Sequence, residues 1–344
     1  MSDTIRIEVQ PQEGGTRLDA LLCARIDGLS RARATEHLAA GHVRLIAGAA
    51  KANTKLKPSL LVNKQHVFEI DVQVRPELSA EPQAIPLHVI YEDQDLLVID
   101  KPAGLVVHPA AGHEDGTLVN ALLHHAPEMV ALQGERGKGK QEEYRPGLVH
   151  RIDKDTSGLL VVSKNEIAMK KLAALFARHD IERRYVAIVL GQLPQDKMTF
   201  RTLHGRHPTE RKRFSGKVTE GKEAVTHVTV LARSALTTLV VCQLETGRSH
   251  QIRMHLAESG HPIAGDQLYG GVRPHAKTAR TMGDAAVLAK VTRQALHAYA
   301  LGFQHPRTGQ QLRMELPWPA DLLDVAIGLY GAQNIALPSL ATPV

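Results

Sequence analysis

Apolar residues follow helical spacing in some parts of this chain and form short unbroken runs in others. Leu18, Leu21 and Leu22 share one face of a helix predicted over residues 16–25, with Thr16 as its cap and Gly28 ending it. Ser30 caps a second predicted helix, 31–40, stopped at Gly41. Short β-type runs follow at 43–46 and 67–74, so residues 16–75 read as a small α/β module. Pro76, Pro82 and Pro86 mark residues 76–86 as an extended linker. From there, 87–325 reads as one larger domain and 326–344 as a tail. Strands are predicted over 96–100, 159–162, 186–190, 225–231 and 238–244, and helices over 117–125, 167–179 and 250–259. Strict strand–helix alternation is lost after Tyr185. An α+β fold, with a mixed, mostly antiparallel sheet flanked by helices, therefore fits better than a doubly wound one. Residues 133–145, 204–222 and 271–294 read as long loops, and loops of that length in a compact domain tend to carry function.

Charge sharpens this picture. The 344 residues carry a net charge of +6. Residues 29–65 hold seven Lys or Arg (Arg31, Arg33, Arg44, Lys51, Lys55, Lys57 and Lys64) against the single acid Glu36. A basic module of that kind suits a polyanion, although charge runs are also common on solvated faces. The loop over 204–222 adds Arg206, Arg211, Lys212, Arg213 and Lys217, which suit phosphate contacts. Only 3% of residues are aromatic, which argues against an RNA reader built on sheets of stacking rings. Cys23 and Cys242 build neither a disulfide framework nor a Cys-x-x-Cys site, so a reducing, cytoplasmic setting is expected. The N-terminus lacks the apolar stretch of a secretory leader, and no apolar run approaches the ~20 residues that span a bilayer.

Three runs carry candidate chemistry. His150-Arg151-Ile152-Asp153-Lys154-Asp155-Thr156-Ser157-Gly158 packs carboxylates, cations and hydroxyls into a turn that opens onto an apolar strand. A structural turn rarely needs so much charge. Thr246-Gly247-Arg248-Ser249-His250-Gln251-Ile252-Arg253-Met254-His255-Leu256 supplies cations that an ionised carboxylate in a dry cleft requires. Arg183-Arg184-Tyr185 opens a strand with an aromatic face. Other chemistries fare worse. The pairs His124/His125, His204/His207 and His250/His255 lack a third ligand at metalloenzyme spacing, and no His-Glu-x-x-His is present. Thr156-Ser157-Gly158 lacks a hydrolase elbow, and no phosphate-cradling Gly-x-x-x-x-Gly-Lys run occurs. Neither a metal nor a nucleotide cofactor is expected.

The first run resembles the His-Arg-Leu-Asp-x-x-Thr-Ser-Gly-Leu pattern of the RluA family of RNA pseudouridine synthases, in the branch that modifies large-subunit ribosomal RNA; Ile152 stands in place of Leu. The second is similar to that family's Gly-Arg-Thr-His-Gln-Ile-Arg-x-His, with Ser249 for Thr. His261-Pro262-Ile263-Ala264-Gly265-Asp266 and Tyr269-Gly270 extend the likeness, and Leu296-His297-Ala298, His305-Pro306 and Pro317-Trp318-Pro319 fit the family's tail as residues that pack. The resemblance implies a central mixed sheet with a cleft across it, and isomerisation of uridine without cofactor or metal. It implies Asp153 as the nucleophile, Arg253 as its partner and Tyr185 as the ring on which the target base stacks. Arg151 would fill the space of an extruded base or hold a phosphate, and Arg248 and His250 would support the cleft. Asp155 falls at a variable position of the pattern.

Arg17-Leu18-Asp19 and Ser30-Arg31 at the two N-terminal helix starts are similar to the S4-like RNA-binding domain. Ile46-Ala47-Gly48 stands where that family usually has Val-Asn-Gly, and Asn63-Lys64 where it has Gly-Asp. Arg31, Arg33, Lys55, Arg211 and Arg213 are the candidate RNA contacts. The implied partner is large-subunit ribosomal RNA or the assembling subunit, with no membrane and a monomer as the default. Two alternatives stay open: another ribosomal site or a tRNA, and a non-catalytic RNA-binding assembly factor. The mark of the second would be loss of the Asp, Arg or Tyr, and all three are present.

Overall fold

The computed structural model describes residues 2–26, 29, 31–48, 56–73, 80–109, 113–132, 146–271 and 282–338. These fall into two compact units, one up to residue 73 and one from residue 80 on.

The first unit runs β1 (Ser2–Glu8), α1 (Leu18–Arg25), α2 (Arg31–Ala39), β2 (Val43–Ala47) and β3 (Val67–Gln73). Its antiparallel sheet has the order β1-β3-β2. Leu18, Leu21 and Leu22 of α1 pack with Phe68 and Ile70 of β3 in one core. Two sequence expectations need correction here. Strand β1 was not anticipated, although Ile5, Ile7 and Val9 alternate as a strand requires. Thr16 is not the cap of α1: Arg17 holds that place and forks onto Asp19, at 3.0 Å from each of Nε and Nη2. Gly28, Ser30 and Lys55 lie outside the described residues. Arg31 is exposed on α2; Arg33 lies on the same helix, with its side chain outside the described set. Arg44 faces Asp71 and Glu69 on β3 at 3.3 and 3.5 Å, so part of the basic charge counted over 29–65 is neutralised by acids that follow it in sequence.

The second unit is built on a large sheet. Its elements are β4 (His88–Glu92), β5 (Leu96–Lys101), α3 (Leu118–His125), β6 (Ser157–Ser163), α4 (Glu166–Ala177), β7 (Glu182–Leu190), β8 (Lys197–Arg206), β9 (Phe214–Ser215), β10 (Lys222–Arg233), β11 (Thr237–Leu244), α5 (Gln251–Glu258), α6 (Met282–Leu288), β12 (Leu296–Gln304), β13 (Gln311–Glu315) and α7 (Ala320–Tyr330). The strand order is β4-β5-β6-β12-β7-β11-β10-β8-β9, with β13 beside β12. Every pairing is antiparallel except β12 with β6. The α+β reading therefore stands. Strands β6, β7 and β12 are buried almost end to end, which is why their sequences read as unbroken apolar runs. Gly158 (φ +117°) lets β6 meet β12: a Cβ there would collide with the Ala298 carbonyl.

Several boundaries differ from the sequence reading. Residues 204–222 are not a loop throughout, because β8 continues to Arg206, β9 pairs back on it, and β10 starts at Lys222. Within 271–294, α6 forms over Met282–Leu288, and 272–281 lie outside the described residues, as do 133–145. The C-terminal part of the linker is held on this unit: the Glu81 carbonyl accepts from Asn120 Nδ2 at 2.8 Å, and Gln83 N–H donates to the Asn120 carbonyl at 3.0 Å. Nor does a tail begin at 326. Helix α7 runs to Tyr330, whose hydroxyl meets Thr237 Oγ1 at 2.7 Å. Among the described residues no helix is long and apolar enough to cross a membrane.

Asp93, Asp95 and His305 bring ligand-type atoms within 4.8 Å of one another. Their lone pairs are already engaged by protein donors. Arg307 forks onto Asp95, Tyr91 donates to Asp93, and His305 Nε2 lies 2.7 Å from Asp93 Oδ2. This is a polar clasp between the start of β5 and the β12–β13 turn.

Two buried histidines set an acid limit. His255 sits between Thr226 and Thr202, and His297 meets Ser157 Oγ at 2.9 Å. Burial lowers both pKa values to about 4. The unfolded chain, near 6.5, binds protons that the folded chain refuses. Each histidine thus contributes on the order of 3 kcal/mol above about pH 6.5, lost as pH falls towards 4. The thermal midpoint should drop steadily across that window, and a flat profile from pH 7 to 4 would refute the assignment.

Candidate active site

The nine-residue run turns out to be the entry to β6, and backbone bonds fix its shape. Thr156 N–H donates to the Asp153 carbonyl at 3.1 Å, and Val161 N–H donates to His150 Nε2 at 3.0 Å. His150 is therefore neutral at that nitrogen. Burial, reinforced by the nearby Arg183 charge, lowers its pKa to about 3. Its ring stacks on Phe176 with centroids 4.7 Å apart. Beneath the run, Lys101 is wholly buried and its Nζ donates to the carbonyls of Pro102, Leu105 and Lys154 at 2.6, 3.0 and 2.9 Å. Three N–H groups on three carbonyls lock the residue after Asp153, although burial pushes the amine's pKa down to about 7. Lys101→Met should strand three buried acceptors and cost at least about 2 kcal/mol. A denaturant midpoint equal to that of the native chain would remove Lys101 from this role.

The second run is the β11–α5 junction. His250, the N-cap of α5, adopts left-handed backbone (φ 56°, ψ 21°), a conformation that costs energy in a non-glycine residue. Gln251 holds it there. Its Oε1 accepts from Thr246 Oγ1 and Arg248 N–H, and its Nε2 donates to the Val225 carbonyl and Thr226 Oγ1, all within 3.0 Å. From β8, His204 Nε2 reaches the Ser249 carbonyl at 2.9 Å.

These two junctions meet. Arg253 Nη1 donates to Asp153 Oδ2 at 2.7 Å, while its Nε and Nη2 fork onto Asp266 at 2.6 and 3.0 Å. Burial opposes the Arg253 charge, but Asp266 and Asp153 outweigh it and raise its pKa above the ordinary value. The guanidinium is thus a charged bridge between a buried carboxylate and one that faces the cleft. His250 Nε2 lies 3.8 Å from Asp153 Oδ1. Burial holds His250 below its ordinary pKa, although Asp153 opposes this. Its Nδ1 lies 3.2 Å from the Tyr269 hydroxyl.

One cleft of about 470 Å³ is lined by Asp153, Arg253, Tyr185, Arg151, Arg248 and His250 together. Tyr185, on β7, is 7% exposed, and burial raises its pKa. Arg151 is exposed at this cleft. Arg248 Nε donates to the Glu223 carbonyl at 3.0 Å. The other predicted contacts lie elsewhere. Arg213 pairs with Glu210 and lies over the Tyr269 ring, and Arg211 is exposed between β8 and β9; neither lines the cleft. Arg31 and Arg33 belong to the first unit. Sequence reasoning gave no role to Lys101, His150, Asp266 or Arg183. Asp266 had a usable signal: a lone acid in a Gly265-Asp266 turn shortly after a buried arginine.

This arrangement orients one carboxylate through a charged guanidinium and presents it to the cleft beside an aromatic face. Comparison with known proteins agrees. Residues 95–258 match the model of the RNA pseudouridylate synthase family. The chain is 40% identical over 342 residues to ribosomal large subunit pseudouridine synthase D of Nitrosomonas europaea, covering 99% of this chain and 92% of that one. It is 40% identical over 321 residues to the uncharacterized RNA pseudouridine synthase YlyB of Bacillus subtilis, covering 93% and 96%. In fold it is similar to human RNA pseudouridylate synthase domain containing 1, with TM-score 0.53 and 23% identity over 76% of this chain and 95% of that one. With relatives this similar along nearly its whole length, the chain belongs to the RNA pseudouridylate synthase family.

Proposed function

We propose that this chain converts uridine to pseudouridine in large-subunit ribosomal RNA, with Asp153 as the reacting carboxylate, Arg253 as its electrostatic partner and Tyr185 as the surface against which the uracil lies. The observation that carries the reading is the Asp153–Arg253–Asp266 bridge at the floor of one cleft. The reaction breaks the bond between the sugar and N1, turns the base, and rejoins it through carbon 5. N1 gains a proton and carbon 5 loses one, so no electrons are exchanged and no group leaves. One carboxylate suffices. Asp153 attacks the anomeric carbon as the bond to N1 breaks, or adds to carbon 6 of the base, and in either route that link breaks again once carbon 5 has joined the sugar; or it only steadies the sugar cation. The free carboxylate then takes the carbon 5 proton. An aromatic face compensates a base drawn from its stack. The relatives named for the large ribosomal subunit support the choice of RNA. The test is release of tritium from RNA labelled at carbon 5 of uridine, with the converted positions then mapped. Release from tRNA alone, or from neither RNA, would overturn the assignment.

The first unit serves this reading as an S4-like RNA-binding module acting through Arg31 and Arg33, and the chain acts as a monomer in the cytoplasm. Replacing both arginines by alanine should weaken RNA binding and flatten its dependence on salt by about two counterions. An unchanged slope would place docking elsewhere.

A further inference from the structure

Three arginines are buried among the described residues: Arg183, Arg184 and Arg253. Arg184 pairs with Glu182, and Arg253 with Asp153 and Asp266. Arg183, 6% exposed at the start of β7, meets no carboxylate among them. Its Nη2 donates to the Glu245 carbonyl at 3.1 Å, its guanidinium lies 5.3 Å from the centre of the Phe176 ring, and its buried Nε has no acceptor. Those contacts hold the group in place without neutralising it. A buried charge without a counter-charge is costly, and chains normally avoid it.

A second cation stands beside it. Gly247 leaves room for the Arg183 side chain, since a Cβ there would collide with Nη1, and Arg248 follows directly. Among the described residues Arg248 likewise has a backbone carbonyl and no carboxylate as partner. Burial and the Arg248 charge together hold Arg183 below its ordinary pKa. Both guanidinium groups line the cleft that contains Asp153 and Tyr185. Two cations converging without an acid between them form a site for an anion brought by the substrate. Phosphate matches the guanidinium fork better than a neutral carbonyl does.

We propose that Arg183, with Arg248 beside it, binds a phosphate of the RNA strand in the cleft: the one adjoining the nucleotide held against Asp153 and Tyr185. This rests on the reading of the cleft as a uridine site. Arg183 is then a binding residue whose unmet charge is completed by substrate, and it ties entry of the strand to placement of the target base.

The test uses an RNA fragment carrying a uridine that the native protein converts. Either phosphate flanking that uridine is replaced by an uncharged methylphosphonate. One of the two replacements should lower kcat/KM of the native protein about ten- to a hundredfold. Arg183→Gln should lose a similar factor on unmodified RNA, mostly in KM, and nothing further on that methylphosphonate RNA. Full multiplicative losses, or a native protein indifferent to both replacements, would overturn the proposal. A guanidinium directed at uracil oxygens would give the second result. The native arm stands even if the glutamine variant fails to fold. Absence of conversion by native protein on any large-subunit RNA would instead sink the reading of the cleft, and this subsite with it.

Discussion

Asp153→Asn should reduce conversion of uridine by a factor on the order of 10³ or more while the chain stays folded and still binds RNA. The amide has the shape of the carboxylate but is neither a nucleophile nor a base. The fold should tolerate it because Arg253 keeps both bonds to Asp266, so no buried charge is left alone. Tritium release measures the first effect, and a gel-shift titration with the same RNA measures the second. Turnover near the native rate would remove Asp153 from the chemistry. Loss of binding together with turnover would make the carboxylate a docking group instead.

Arg253→Met should do two kinds of damage. Asp266 is 1% exposed and takes its charge partner from Arg253, so the substitution strands a buried carboxylate at a cost of about 3–5 kcal/mol. It also strips Asp153 of the cation that orients it, so turnover should vanish. The two effects separate in a double variant. Arg253→Met with Asp266→Leu removes both charges and should recover much of the stability, while conversion stays absent. Chemical denaturation alongside tritium release reads both. If the double variant is no more stable than the single one, Asp266 is not the group that Arg253 neutralises.

Much of the site was legible because its groups come in compact runs at element starts. Asp153 precedes an unmistakable apolar strand, and Arg253 sits one helical turn inside a short helix that ends at a glycine. What escaped was whatever needs a partner far along the chain. Asp266 completes the bridge through a fold-back from α5, and Lys101 reaches across 53 residues to hold the Lys154 carbonyl. The long basic stretch at 204–222 read as loop because β9 has only two residues, too few to leave a period. The basic count over 29–65 overstated the free charge because Arg44 meets acids across the sheet. Local pattern and local charge were visible; cross-strand and cross-loop pairing was not.

The position of β12 governs how this molecule can come into being. It follows Asp153, Tyr185 and Arg253 in sequence, yet it lies between β6, which follows Asp153, and β7, which carries Tyr185. Before Leu296–Gln304 has emerged, the two halves of the cleft have no common sheet, and each ends in an apolar strand with an unpaired edge. Such edges invite mispairing, and closure across so much chain is slow. A chain that holds every motif of the site but lacks β12 should therefore be inactive and expose edges open to mispairing. Entry of β12 joins the two halves, so a stop codon ahead of Leu296 should leave every catalytic group present and no common sheet to hold them together.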